Sequence, residues 1–128
     1  MTKEFIPYEQ ALALKELGFD EKCFGYYDPQ GKFQYSYTPL GYFNSRTIIP
    51  LYQQAFRWFR DHHALMHEIS PSFTCIITDL DSINKINYIY TFDHYHITDN
   101  DGEQIFFESY EEAELACLNK LIELVKQK

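Results

Sequence analysis

The sequence predicts an α+β fold in which about five antiparallel strands, arranged as two hairpin or meander units, pack against three helices. Three observations lead there. Segments of helical and of two-residue periodicity follow one another as α-β-β-α-β-β-β-α, with strands grouped between helices rather than alternating with them. The chain carries 11 Tyr and 11 Phe, and each ring taken out of water buries about 150–250 Å². The tetrads Asp28-Pro29-Gln30-Gly31 and Asp99-Asn100-Asp101-Gly102 have turn chemistry and separate strand-like segments. A length of 128 residues fits one domain over 1–128, since a single core serves roughly 100–150 residues.

The first helix is expected from Pro7 to Leu17. Proline suits a first helical position because its missing N–H has no intrahelical role there. Ala11, Leu14 and Leu17 recur at helical spacing, Gly18 can end the helix in left-handed geometry, and Phe19 can fold back on the last turn. Cys23–Tyr27 and Lys32–Tyr37 then form a hairpin, with Thr38–Arg46, which contains Pro39, Gly41 and Asn44, as a loop. A second helix is expected from Pro50 to about His62. Leu51, Ala55, Trp58, Phe59 and His62 make its buried stripe, and Pro71 stops any continuation.

Three strands follow: Phe73–Asp79, Lys85–Ile97 and Gln104–Glu108, with turns at 81–84 and 99–102. Four-residue turns would pair Asp79 with Ile86, Ile77 with Tyr88, Cys75 with Tyr90, Phe73 with Phe92, and Ile97 with Gln104. Alternation then gathers Phe73, Cys75, Ile77, Ile86, Tyr88, Tyr90, Phe92, Ile105 and Phe107 on a core face. The second face holds Ile76, Ile89, Tyr95, Ile97 and Phe106 among polar residues, an apolar patch that a partner could cover. A slip of one residue would exchange the faces. The last helix opens on a capping box, Ser109 with Glu112. Its stripe is Leu118, Leu121, Ile122 and Val125, widened by Ala113, Ala116 and Cys117.

Composition narrows the function classes. A net charge of -8 disfavours a general nucleic-acid binder, which needs a basic surface. No stretch approaches the ~18 apolar residues of a membrane span, and the start has no basic segment followed by an apolar run. Cytoplasmic localisation is therefore expected. Cys23, Cys75 and Cys117 are odd in number and widely spaced, so each is expected to act as a small buried hydrophobe in a reducing compartment, without a zinc site.

The blocks Tyr8–Asp20 (YEQALALKELGFD), Pro50–Asp61 (PLYQQAFRWFRD) and Tyr110–Ile122 (YEEAELACLNKLI) fall on the three expected helices. Together they resemble a family of small uncharacterised proteins of Bacteroides-type bacteria and their phages or mobile elements. The resemblance implies a phage or mobile-element origin and a cytoplasmic setting, and it transfers no catalytic residue.

Four groups of residues invite a functional reading. His63 and His67, with Glu68 adjacent, would sit one turn apart as metal ligands if the second helix continued past Asp61; otherwise the helix frays there, with His62 packed. His94 and His96 share a strand face. The expected register keeps them about 26 Å from Asp79, at ~3.3 Å per residue, so no His/Asp cluster forms. Arg57, Trp58 and Arg60 could bind an anion or a base against an aromatic platform, although Trp58 belongs to the buried stripe. Asp99–Glu103 is too short for a calcium loop and serves a turn. There is no phosphate-cradling glycine loop and no nucleophile elbow, so no catalytic residue or cofactor is expected. The sequence thus points to a non-enzymatic interaction module with a protein partner or self-association. A small-ligand or metal-dependent enzyme using His63/His67 or His94/His96, or an acidic nucleic-acid mimic, are the alternatives.

Overall fold

The computed structural model describes residues 2–42 and 46–128. Among these residues it is an α+β protein with three α-helices and six strands in two antiparallel three-stranded sheets, ordered α-β-β-β-α-β-β-β-α. The chain divides into two compact units, Met1–Ala55 and Phe56–Lys128.

In the first unit, helix α1 spans Tyr8–Glu16 and buries Ala11 and Leu14. Gly18, at φ 102°, ends it: the Gly18 N–H reaches the Lys15 carbonyl and the Phe19 N–H reaches the Leu14 carbonyl at 3.0 Å. This double closure satisfies carbonyls left open by the last turn and folds Phe19 into the core, as expected. Strands β1 (Cys23–Tyr27) and β2 (Phe33–Leu40) pair across the Asp28–Gly31 turn, with Tyr27 opposite Phe33, and β3 (Thr47–Ile49) joins the other side of β1.

Two expectations change here. Thr38–Leu40 continue β2 rather than opening a loop, and Thr47–Ile49 form a strand that their short apolar run did not announce. Asn44 lies outside the described residues. Pro39 is tolerated within β2 because β2 is an edge strand, where a missing N–H need not break a ladder. Gly25 is the point of closest approach: a Cβ there would lie 2.8 Å from the Phe5 ring and 3.1 Å from the Ile49 carbonyl oxygen. The Phe5 ring, seated on that bare backbone, contacts Phe33 at 5.1 Å and Tyr35 at 5.5 Å.

Helix α2 spans Tyr52–His63, and Ala55, Phe56, Trp58 and Phe59 are buried. It does not run on to His67. Ala64 turns the chain with φ 55°, and Leu65–Ile69 form strand β4.

In the second unit, β4, β5 (Cys75–Ile86) and β6 (Ile89–His96) are ordered β4-β5-β6. The expected turn at 81–84 is instead part of β5, and the reversal falls on Asn87-Tyr88, both with positive φ. The pairing therefore differs from expectation: Ile76 faces His96, Ile77 faces Tyr95, Thr78 faces His94 and Asp79 faces Asp93. Beyond an irregularity the hairpin resumes with Asn84 opposite Thr91 and Lys85 opposite Tyr90. Tyr88 and Tyr90, expected in the core, are exposed. Gln104–Glu108 is not a strand; a single bridge, Thr98 with Gln104, closes that hairpin, and the Phe107 N–H crosses to the Phe73 carbonyl.

Helix α3 (Tyr110–Lys126) packs on β4 and β5. Its capping box forms on one side as expected, the Glu112 N–H donating to Ser109 Oγ at 3.1 Å, while the Glu112 carboxylate accepts from the Glu108 N–H. Ala113, Cys117, Leu118, Leu121 and Ile122 are buried. Cys75 and Cys117 are joined by a disulfide with Cα atoms 5.9 Å apart. This corrects the expectation of three independent thiols, and with it the argument from cysteines for a reducing compartment. Widely spaced cysteines gave no sign of the pairing, because β5 and α3 meet only in the folded chain. Cys23 alone is a free buried thiol, and burial pushes it up to about 12.

One hydrogen-bond frame builds three of the reversals. At Asp28, Ser70 and Asp99 the N–H of the first residue donates to the carbonyl of the fifth, and the fourth N–H returns to the first carbonyl. In each, the fifth N–H donates to the side chain of the first: Lys32 to Asp28 Oδ1, Thr74 to Ser70 Oγ, Glu103 to Asp99 Oδ1. The fourth position is left-handed each time, with Gly31 and Gly102 at φ 81° and Phe73 at φ 60°.

Two outcomes test this description. Replacing Ala64 with Gly raises the unfolding free energy by about 1 kcal/mol, because Gly relieves the left-handed strain at the end of α2; thermal unfolding reads the gain. Replacing both Cys75 and Cys117 with Ala lowers it by about 4 kcal/mol, the chain-entropy value for a loop of this length, and denaturant titration reads the loss.

Candidate functional site

The alternation of the second sheet decides which side chains meet. On the face turned to α3, Leu65, Asp79 and Asp93 form one row and His67, Ile77 and Tyr95 the next. On the outer face, Met66, Thr78 and His94 form one row and Glu68, Ile76 and His96 the next. The expected apolar patch therefore does not exist as one surface. Tyr95 is opposite Ile77, on the covered face, whereas Ile76 is half-buried on the outer face among Glu68 and His96. Ile97 follows the end of β6, and Phe106 is exposed outside any strand. Of the five, Ile89 belongs to the hairpin tip described below.

The histidines are redistributed as well. His63 ends α2 and His67 lies on β4, so they are not ligands one helical turn apart. His62 is exposed rather than packed, and His63 sets its ring edge-on to Trp58 at 4.9 Å. The His67 ring stacks on Phe56 at 3.7 Å. Burial, with Arg60 nearby, pushes the His67 imidazole below its ordinary 6.5; burial does the same for His63.

His94 and His96 do share a face. His94 Nδ1 bonds Thr78 Oγ1 at 3.0 Å and His96 Nδ1 accepts from Gln104 Nε2 at 3.3 Å. The separation of about 26 Å from Asp79 is corrected: Asp79 is opposite Asp93, next to His94 along the strand. The pleat nevertheless directs Asp79 and His94 to opposite faces. Among the described residues no group of three His, Cys, Asp or Glu side chains is arranged to hold a metal ion.

The second expected alternative, Arg57-Trp58-Arg60, is also taken apart. Trp58 is buried while Arg57 and Arg60 are exposed, and Arg60 pairs with Asp61 at 3.4 Å. The indole is thus no platform for an anion held by both guanidinium groups.

A cleft of about 400 Å³ in the first unit is lined by Tyr8, Tyr27, Asp28, Pro29, Gly31 and Thr47. Its carboxylate is committed to the turn. Asp28 Oδ1 accepts from the Gln30 and Lys32 N–H groups and Oδ2 from Gln34, and these bonds, the one from Lys32 first, hold the Asp28 carboxyl below its ordinary value. Among the described residues lining the cleft, Asp28 is the one carboxylate, and no imidazole or amine accompanies it.

What the second unit does present is the tip of the β5–β6 hairpin. β4 pairs with β5 only as far as Asp79, so Leu80 to Phe92 extend beyond the three-stranded part. There Tyr88 is 89% exposed, Ile89 64%, Tyr90 62% and Ile83 59%. Lys85 and Tyr90 are directly opposite, and the Lys85 ammonium stands 5.2 Å from the Tyr88 ring centre and 5.5 Å from that of Tyr90. Asn87 and Tyr88 close the loop at φ 51° and 67°. A two-residue hairpin turn of this kind prefers Asn-Gly, and a tyrosine in the second position costs about 1–2 kcal/mol of backbone strain. The missed signal was Asn87 at the first left-handed position, flanked by Ile86 and Ile89; the Asp81–Asn84 segment, richer in turn residues, drew the expected turn upstream.

Comparison with protein-family models, with curated proteins and with solved structures returns no match to this chain.

The histidine environment has a measurable consequence. His63 and His67 bind a proton less readily folded than unfolded, so stability is full above about 6.5 and falls as pH drops through that value toward the lower folded ones. Denaturant unfolding at pH 7.5 and 5.5 is expected to show the loss, and His67→Phe to reduce it.

Proposed function

We propose that the protein is a non-enzymatic protein-interaction module of phage or mobile-element origin. The observation that carries the reading is the tip of the β5–β6 hairpin, where Ile83, Tyr88, Ile89 and Tyr90 are exposed and the Lys85 ammonium lies against the Tyr88 and Tyr90 rings, beside a turn closed by non-glycine residues at positive φ. A lone two-stranded hairpin gains little stability from apolar side chains left in water. Tyrosine is, by contrast, one of the residue types enriched among the hot spots of interfaces. Strain kept at such a tip is of the kind stored at functional sites. The origin rests on the resemblance of the three helical blocks. Among the described residues no helix is long and apolar enough to cross a membrane. A cytoplasmic setting belongs to the same proposal, and it now has to accommodate the Cys75–Cys117 bridge, since disulfides persist chiefly in oxidising compartments.

The uneven distribution of charge favours a second reading, an acidic mimic of nucleic acid. Residues 86–119 contain eight Asp and Glu and no Lys or Arg, while the other 11 acids are matched in number by all 11 Lys and Arg. The whole net charge therefore belongs to one stretch, as a mimic would need. It would compete with DNA for a basic partner, and that competition would weaken steeply with salt.

The first reading is tested by a photo-crosslinking residue at Tyr88, with one at Lys32 as control, introduced in the native host. A discrete adduct from position 88 and none from position 32 is expected; no adduct at 88 overturns the reading.

A further inference from the structure

Strand β6 is one of the two outer strands of its sheet, and its backbone directions can be assigned. The Asp93 N–H donates to Ser82 Oγ, on the β5 side, at 2.7 Å. The Ile97 carbonyl accepts from the Ile105 N–H, and the same segment reaches, through the Phe107 N–H, the carbonyl of Phe73, two residues before β5. Groups of one strand alternate in direction, so the N–H and C=O of Tyr90, Phe92, His94 and His96 point away from β5. Among the described residues nothing pairs with that row. The irregularity opposite it lies on β5, where four residues separate Asp79 from Asn84, while only Phe92 separates their partners on β6. Proteins shield such edges with proline, lysine or bulges. Of the outer strands of the first unit, β2 has Pro39; β6 has neither proline nor lysine, and Asp93 is its one formal charge.

The surrounding charge selects what can pair there. Asp93, Asp99, Asp101 and Glu103, on β6 and the turn after it, are all exposed. No Lys or Arg occurs between Lys85 and Lys120. A second copy would bring the same carboxylates against these, whereas a basic segment would neutralise them.

We propose that the β6 edge receives an extended, Lys- or Arg-rich segment of a partner protein as an added strand. This rests on the interaction-module reading and deepens it: main-chain bonds to the outward row supply affinity, and the acidic flank supplies selectivity.

The test is backbone amide exchange by NMR on the whole protein, with a synthetic peptide of alternating valine and lysine, about ten residues long. Without peptide, the amides of Tyr90, Phe92, His94 and His96 are expected to exchange faster than those of Thr91, Asp93 and Tyr95. With peptide, the outward four slow about tenfold or more, and higher salt reverses the effect. A peptide in which prolines replace the valines cannot pair and should give no protection. Asp93→Lys should weaken binding about tenfold without lowering Tm, since a lysine on an edge opposes both pairing and a basic partner.

Equal binding of the proline peptide overturns the proposal, as does unchanged exchange at the four amides. Protection that grows with protein concentration in the absence of peptide also overturns it, in favour of a second copy. Perturbation confined to Tyr88 and Lys85 overturns the edge assignment while leaving the interaction reading standing. That reading fails separately, by the absence of a crosslink at position 88.

Discussion

A β-strand directs its side chains alternately to two faces, so in the second unit everything depends on which residue stands opposite Ile77. That residue is Tyr95. From this one pairing it follows that Tyr95 joins the face under α3 and that His94 and His96 come to the open face with Thr78 and Ile76. Asp79 is brought beside the histidines in sequence register but directed away from them by the pleat. The Cys75–Cys117 bridge then ties the same strand to the middle of α3, so the helix and the sheet register stabilise one another.

The opposition of Asp79 and Asp93 marks where regular pairing stops. Two carboxylates directly across a ladder repel, and beyond them β5 takes four residues to meet the next register. The bonds that span the gap are local: Ser82 Oγ donates to the Asp79 carbonyl and accepts from the Asp93 N–H, and the Leu80 N–H reaches the Ala64 carbonyl. Past this junction β4 no longer pairs with β5, and the Tyr88 and Tyr90 rings stay in water. The end of the β4–β5 pairing therefore both exposes the tip and limits the core.

The first unit adds to its buried Leu14, Phe19, Ile48 and Ile49 a cluster of rings seated on bare sheet backbone. Gly25 lets Phe5 lie against the sheet backbone, and Phe5, Phe33 and Tyr35 meet edge to face around it. Edge-to-face packing satisfies the ring quadrupoles, which suits a cluster built from so many Tyr and Phe. The recurrent turn frame at Asp28, Ser70 and Asp99 is equally economical: one acceptor side chain satisfies the fifth N–H while a left-handed fourth residue reverses the chain.

The elements legible in the amino-acid order are those whose causes are local. Helix α1 with its glycine closure, the Asp28 hairpin, the Asp99 turn and the Ser109 cap of α3 are all legible, because each depends on hydrogen bonds between residues a few positions apart. The α+β class followed from them. The distant pairings emerge only on folding: β3 and β4 as strands, the reversal at Asn87-Tyr88 in place of Asp81–Asn84, and the bond between two cysteines 42 residues apart. The candidate site belongs to this second kind. Tyr88 and Tyr90 read as core because the expected turn lay upstream and carried the register with it. Side-chain periodicity reveals that two faces exist, but which of them is covered depends on the partner strand and on the helix laid across it.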